Sequence, residues 1–397
     1  MGLRDKFKSM MGSNEKKNEN KNEPEKSDDI RAPKEILGST FFDLYQYIFT
    51  NGQRSDTIVL EKDYVLGDKM EMMFHNGVEI RHEGIVIDGN GHTIDAQGKA
   101  RIFDIYADVT IRNVVLMNGN NEGGAAIFNH ANLRLENVKF INNSSIQGSA
   151  INNFINSNLI VINCLFEGNV AEKNAGAIFN HTTCKVTGSK FINNKSTEDG
   201  GAIALAPNSE ISIEDCYFEQ NSSESMSGGA LVNMGKVNIK DSTFIKNSSK
   251  EQAGALINRK GAVMTISNSR FEQNAALNNV GGAILNWNKL QIKDTTFKSN
   301  RGTSAGSIYN IPNGILFIED CQFEENLAYE FGGAIRNDGR INLRNSQFTK
   351  NKASNLGGAI VNDGSIDLIN AEFTGNVASN GGGAIATSKP EDRKSVV

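Results

Sequence analysis

Few residues in this chain combine the type and spacing that chemistry needs. Two histidines sit in like contexts, Asn129-His130 and Asn180-His181, and could be read as ligands of one metal ion. Four cysteines, Cys164, Cys184, Cys216 and Cys321, could be thiol ligands, nucleophiles or disulfide partners, yet none lies in a CxxC or other metal-ligand spacing. Acidic pairs such as Glu324-Glu325 raise glycoside hydrolysis, which needs two carboxylates at a set separation. No calcium repeat of the GGxGxD kind and no phosphate loop is present. Whether any of these groups can act together depends on the elements that carry them.

Those elements repeat. The pattern F-x-x-N occurs at Phe140/Asn143, Phe166/Asn169, Phe191/Asn194, Phe218/Asn221 and Phe244/Asn247, then at Phe271/Asn274, Phe297/Asn300, Phe323/Asn326, Phe348/Asn351 and Phe373/Asn376. A second block, Gly-Gly-Ala-Ile-x-Asn or a close variant, follows each, clearest at Gly281-Gly282-Ala283-Ile284-Leu285-Asn286. Seven and five residues before each Phe the chain is apolar, as in Val237/Ile239 and Leu316/Ile318. That is the period-two signature of a strand with one buried face. Three before each Phe stands Asn, Asp or Gly, the types that tolerate a left-handed backbone, so a bend falls there.

Each repeat thus holds three short strands and three turns, too little to close its own sheet. Stacking repeat on repeat solves this, with Phe on Phe and Asn on Asn at ~4.8 Å per coil. The expected fold is all-β, a right-handed parallel β-helix of about 11–13 coils over residues 56–387. The expected boundaries are a disordered charged tail at 1–34, a capping helix within 35–55, and a C-terminal tail at 388–397 that covers the last coil or leaves it open. Thr40-Phe41-Phe42-Asp43 matches a capping box, and Phe41, Leu44, Tyr45 and Ile48 keep helical spacing, which predicts a helix over 39–51.

This frame decides the chemistry. His130 and His181 fall two coils apart, roughly 10 Å, too far to share a metal, and read as exposed turn residues. Cys164 and Cys216 are separated likewise, beyond the ~7 Å Cα limit for a bridge, so the cysteines read as free thiols in the core. Arg259-Lys260-Gly261 and Glu198-Asp199 read as solvated turns. No cofactor or metal site is expected.

Composition narrows the partners. A net charge of −5 gives no basic stripe for nucleic acid. No apolar run reaches the ~18 residues of a membrane span. Leu3, Phe7, Met10 and Met11, spaced helically among Arg4, Lys6 and Lys8, would make at most a weak peripheral anchor, and Lys6 stands where myristoylation needs Ser or Thr. With Ile of the Gly-Ala-Ile block facing in, the next column faces out. Its apolar members, Phe128, Phe179, Val232, Ile257, Leu285, Tyr309 and Val361, are the candidate interaction stripe.

The paired F-x-x-N and G-G-A-I motifs resemble the polymorphic outer-membrane protein repeat of chlamydial autotransporters and the adhesin-like β-helix proteins of methanogenic archaea. Residues 87–94, Ile-Asp-Gly-Asn-Gly-His-Thr-Ile, are similar to the opening coil of pectate-lyase-like β-helices. The resemblance implies a surface-associated adhesin; the lack of a secretory leader argues instead for the cytoplasm. The fold it implies also hosts polysaccharide lyases, which need clustered Asp/Glu for calcium and a basic residue near a groove, and glycoside hydrolases; the Asn-Thr-Asp, Asp-Asp, Gly-His-Gly and Arg-Ile-Lys blocks of the hydrolases are missing from the coils. The expectation is a non-enzymatic, adhesin-like interaction rod for a protein or glycan ligand or for self-association. A polysaccharide-active enzyme and an intracellular scaffold are the alternatives.

Overall fold

The computed structural model describes residues 39–67 and 73–389. The charged tail expected at 1–34, its Leu3–Met11 stretch and residues 390–397 lie outside these. The described chain is a right-handed parallel β-helix with three sheets of 13 strands each and a fourth of 11.

One coil shows the route. Lys236–Lys240 turns Val237 and Ile239 inward, with Lys236, Asn238 and Lys240 outward. The chain bends at Asp241, where φ is 50°, into Thr243–Ile245, which buries Phe244. A second left-handed residue, Lys246 (φ 54°), introduces Asn247. The pair Ser248–Ser249 follows, and then Leu256–Asn258 leads back to Val263–Ser267 of the next coil. The residue-by-residue registry of Phe244 with Phe271 and Val237 with Met264 keeps every column aligned.

The fourth strand was not expected. It carries only a small inward residue, such as Ser223, Ser249 or Ala276, so neither hydrophobicity nor length marks it in the sequence.

Two interior columns hold the coils together. Ten phenylalanines from Phe140 to Phe373 stack with ring centroids 4.6–5.0 Å apart and interplanar angles of 13° or less. Fully burying each ring is worth about 2–3 kcal/mol. Beside them, Asn143 through Asn376 form an unbroken amide ladder. Asn221 Nδ2 donates to Asn247 Oδ1 at 3.0 Å, Asn247 Nδ2 donates to Asn274 Oδ1 at 3.0 Å, and each also donates to a Phe carbonyl. Buried amides cost free energy unless bonded, and the ladder satisfies each from its neighbours. A second ladder runs through Asn129, Asn153 and Asn180, is interrupted at Leu205, and resumes from Asn233 to Asn362.

Four buried, unpaired cysteines line other interior positions as expected, and burial pushes the thiols of Cys164, Cys216 and Cys321 up to about 12.

The two ends differ. Helix α1, Phe41–Gly52, lies at the first coil with Phe41, Leu44 and Ile48 buried. Its capping box is complete: Asp43 N–H donates to Thr40 Oγ1 at 3.2 Å, and Thr40 N–H donates to Asp43 Oδ2 at 2.8 Å. At the other end Ile366, Leu368, Phe373 and Ile385 are only partly buried.

Candidate interaction surface on the Gly-Ala-Ile sheet

The sheet containing Ile127–Asn129, Leu256–Asn258 and Ile335–Asn337 carries the outward column from which the interaction stripe was expected. The parity holds, since Val232, Ile257 and Leu285 form an apolar cluster separate from the main core. Exposure does not. Val232, Ile257, Leu285, Val361 and Phe179 are buried, and only Phe128 and Tyr309 are part-exposed. The cover comes from residues flanking the short strand. Met234, Trp287 and Ile311, each just after the ladder asparagine, close from one side, while Val280, just before the Gly-Gly pair, closes from the other. The stripe is therefore a second, outer core.

Charged staples reinforce that cover. Arg259, expected as a solvated turn residue, donates through Nη2 to both carboxylate oxygens of Asp199 at 2.9 Å, spanning 60 residues of sequence. Near the start of the sheet, buried Arg101 reaches Asn121 Oδ1 at 3.0 Å, Gly123 O at 2.9 Å and Asp104 Oδ2 at 3.3 Å, and its guanidinium lies over the Phe128 ring at 4.8 Å. Towards the other end Arg336 Nε donates to Asp338 Oδ1 at 3.2 Å and the Tyr309 hydroxyl donates to Asp338 Oδ2 at 2.6 Å.

The open part of this face is its first third. The column just after the ladder position reads Tyr106, His130, Phe154 and His181 in successive coils. Tyr106 and His130 stack at 4.5 Å with planes 5° apart, His130 meets Phe154 edge-on at 5.7 Å, and Phe154 meets His181 at 5.6 Å. Arg81 caps the Tyr106 ring at 4.3 Å, and the neighbouring His82 touches Phe49 of α1, which stacks on Tyr45. Along this strip Tyr45, Phe49, Tyr106 and Phe154 keep 39%, 46%, 40% and 37% of their surface exposed. The histidines are thus members of an aromatic stack rather than plain turn residues, and Phe154 stands between them. The sequence does mark this column, since four of its successive members are aromatic, but the apolar stripe beside it runs longer.

The ionisable groups here are engaged in structure. Burial pushes the Asp104 carboxyl above its ordinary range, against the pull of Arg101 and His130. His130 Nε2 lies 3.2 Å from Asp104 Oδ1 but off the line of a hydrogen bond, leaving both atoms without a hydrogen-bond partner. Burial holds His181 below its usual value, so it is neutral at pH 7. Asp363 accepts from Ser388 N–H, Ser388 Oγ and Thr387 Oγ1; these bonds and Arg336 outweigh its burial and hold it below the usual range. Among the described residues no group of three His, Cys, Asp or Glu side chains could hold a metal ion.

Comparison with known proteins agrees with the ladders and columns. The right-handed beta helix region matches residues 71–244, and the Chlamydia polymorphic membrane protein repeat matches residues 345–363 and 370–388. The fold class is that of right-handed β-helix repeat proteins, and the two matches support a likeness to polymorphic membrane protein and β-helix repeats. Metabotropic glutamate receptor-like protein R of Dictyostelium discoideum is 25% identical over 181 residues, 45% of this chain and 10% of that protein. The chain therefore spans about a tenth of that relative. PfbA, a surface adhesin of Streptococcus pneumoniae, is 13% identical with a TM-score of 0.45, covering 90% of this chain and 96% of its own. The L. reuters 100-23 SRRP is 11% identical with a TM-score of 0.28, covering 88% and 97%. Both structural likenesses are too distant to carry a functional argument.

Proposed function

We propose that this β-helix is a non-enzymatic, adhesin-like interaction rod, and that its contact surface is the aromatic strip of the first coils rather than the buried stripe. The observation that supports this is the continuity of the strip. Tyr45, Phe49 and His82 follow one another through ring contacts, as do Arg81, Tyr106, His130 and Phe154; the chain itself joins His82 to Arg81, and all remain partly exposed. Exposed aromatic side chains with an arginine among them are the composition that dominates binding hot spots. The rigid β-helix below holds them at fixed spacing, so little ordering entropy is lost on binding. The partner class is protein or glycan, and the setting is the cell surface.

Asp338 and Asp363 are held by hydrogen bonds from neighbouring groups, and Asp104 accepts through Oδ2 from Arg101 and Tyr106, which argues against these three as a free acid–base pair. No helix of the described residues is long and apolar enough to cross a membrane.

The test is a binding screen of the purified chain against a glycan array and a panel of extracellular proteins, repeated with Tyr106→Ser and Phe154→Ser. Hits that weaken at least tenfold in both variants, at unchanged melting temperature, support the strip. Hits indifferent to both changes place binding elsewhere. Sugar release from polysaccharides by the wild-type chain would replace the reading with an enzyme.

A further inference from the structure

The sheet that contains Lys236–Lys240, Lys289–Lys293, Ile315–Glu319 and Arg340–Arg344 presents a flat outer face on another side of each coil. Its outward residues form rows. Lys289, Gln291 and Lys293 make one, Ile315, Phe317 and Glu319 the next, and Arg340, Asn342 and Arg344 the third, in direct register. Cations therefore stand at the four corners of a row that holds the apolar pair Ile315 and Phe317 and, between Lys293 and Arg344, the carboxylate of Glu319. Ile315 is 40% exposed and Phe317 39% exposed between them. The basic rows are two coils apart, roughly 9.6 Å, and the two ends of a row are roughly 13 Å apart, from strand spacing and rise.

The charges on this face are unevenly used. Lys236 pairs with Glu210 at 2.8 Å, and Lys240 with Glu214 at 3.1 Å. Lys293 lies 3.4 Å from Glu319 and 3.6 Å from Asp320. Lys289 and Arg340 have no ion-pair partner among the described residues, and Arg344 donates only to the Asn342 amide, at 3.1 Å. Three unneutralised cations thus surround two exposed apolar side chains on a rigid plane, in a chain whose net charge is −5.

We propose that this face docks on an anionic lipid surface. The geometry argues for a planar partner over a linear one. A polyanion running along one column would meet a cation only at every second coil, with Ile315 between, and would leave the other column unused. A sheet of headgroups fills both columns at once. Ile315 and Phe317 offer hydrocarbon to the boundary below the headgroups, while the longer Lys and Arg stems reach the phosphates around them. Each cation held near such a surface contributes about a fivefold gain in partition, the equivalent of ~1 kcal/mol.

The test is sedimentation of the full chain with phosphatidylcholine vesicles, with and without phosphatidylserine. Binding is expected only with phosphatidylserine and is expected to fall as ionic strength rises. The triple variant Lys289→Gln, Arg340→Gln, Arg344→Gln is expected to lose about a hundredfold in partition, and Phe317→Ser about threefold, both with unchanged melting. Because Arg4, Lys6 and Lys8 near the N-terminus are also basic, a second variant changes those three to Gln and is expected to bind as wild type. Retained binding in the first variant, or loss confined to the second, overturns the proposal. So does equal binding to neutral vesicles, or a triple-variant defect seen on an acidic polysaccharide and not on vesicles.

Discussion

The interior columns and the outer columns of this molecule follow different rules. Inside, position by position, ten coils repeat one residue: Phe at the stacked ring, Asn in the ladder. Outside, on the Gly-Ala-Ile sheet, the column next to the ladder reads Tyr106, His130, Phe154, His181, Ala206, Met234, Arg259 and Trp287, no two neighbours alike. In these two columns each residue meets an identical neighbour above and below, whose ring or amide it matches, so uniformity is favoured there, whereas the purely aliphatic interior positions vary in shape, as at Val237 and Met264. An outer residue answers to the local cover or to solvent, and is free to vary. Repetition in a solenoid therefore marks structure, and departures from it mark the surfaces available for function.

The interior rule is broken hardest at a glycine. A Cβ added at Gly306 would lie 2.0 Å from Gly333 O and 2.7 Å from Leu327 N, both backbone atoms of the next coil. The same contact recurs at Gly282 and Gly333, so no local shift relieves it. Gly306→Ala is expected to cost more than about 4 kcal/mol, enough to split the thermal transition or to abolish soluble folding. Circular dichroism melting of the purified variant checks this; a melt within a few degrees of wild type would show that the coils breathe apart far more easily than their registry implies.

Next in size is the ladder. Asn247→Leu removes the acceptor of Asn221 N–H at 3.0 Å and of Asn221 Nδ2 at 3.0 Å, and the donor to Phe218 O at 3.0 Å. Leaving buried groups unpaired costs about 1–3 kcal/mol each, so a loss of roughly 3 kcal/mol or more is expected in chemical denaturation. Leu205 sharpens the contrast. It interrupts the second ladder without orphaning Asn180, whose Nδ2 finds Thr182 O at 2.8 Å and Glu210 O at 3.2 Å. The second ladder borders a turn whose carbonyls take the freed amide; in the first, the backbone N–H of each asparagine also depends on the next asparagine's Oδ1.

An outer-core change should cost less. Leu285→Ala empties part of the cluster formed with Val232 and Ile257, at about 2–3 kcal/mol, because the flanking Trp287 and Met234 can settle into the space. Phe154→Ser, on the open strip, should shift stability by under about 1 kcal/mol while changing binding. Equilibrium urea unfolding separates the two. Equal losses would mean the strip is as structural as the outer core.

What could be read from the sequence follows the same division. The three long columns, the bend at Asp241 and its equivalents, and the capping box at Thr40 were legible because each uses residue types with one physical meaning. The second left-handed position, occupied by Lys246, Gln273, Ser299 and Glu325 at φ near 54°, was not. Those side chains do not announce that backbone; it is imposed by the ladder asparagine that follows. The stripe through Val232, Ile257 and Leu285 was read with the correct parity and the wrong exposure, because what covers it comes from turns whose residues vary from coil to coil. The Arg259–Asp199 pair joins residues 60 apart and leaves no mark in local sequence.

The smallest effect expected lies at the end of the interior columns, where repetition stops. Asp363 accepts hydrogen bonds from Ser388 N–H at 2.7 Å and from Thr387 Oγ1 at 3.0 Å, fastening the end of the described chain to the coil before it. Burial alone would raise this carboxyl; the bonds from Ser388 and Thr387, with Arg336 beyond, more than reverse that and hold it low. A carboxyl whose folded value is depressed contributes stability that is complete above its unfolded value, near 3.9, and is lost as pH falls through the folded one. Amide exchange at Ser388 should therefore accelerate as pH is lowered below about 4, after correction for the intrinsic rate, while amides beside Phe244 stay protected. Asp363→Asn keeps an acceptor but has nothing to titrate, so it should abolish the pH step at Ser388 and leave a lower, flat protection. A step that survives in that variant would assign the pH dependence to other carboxylates, and would mean that the last coil is fastened mainly by its strand pairing with the coil before it.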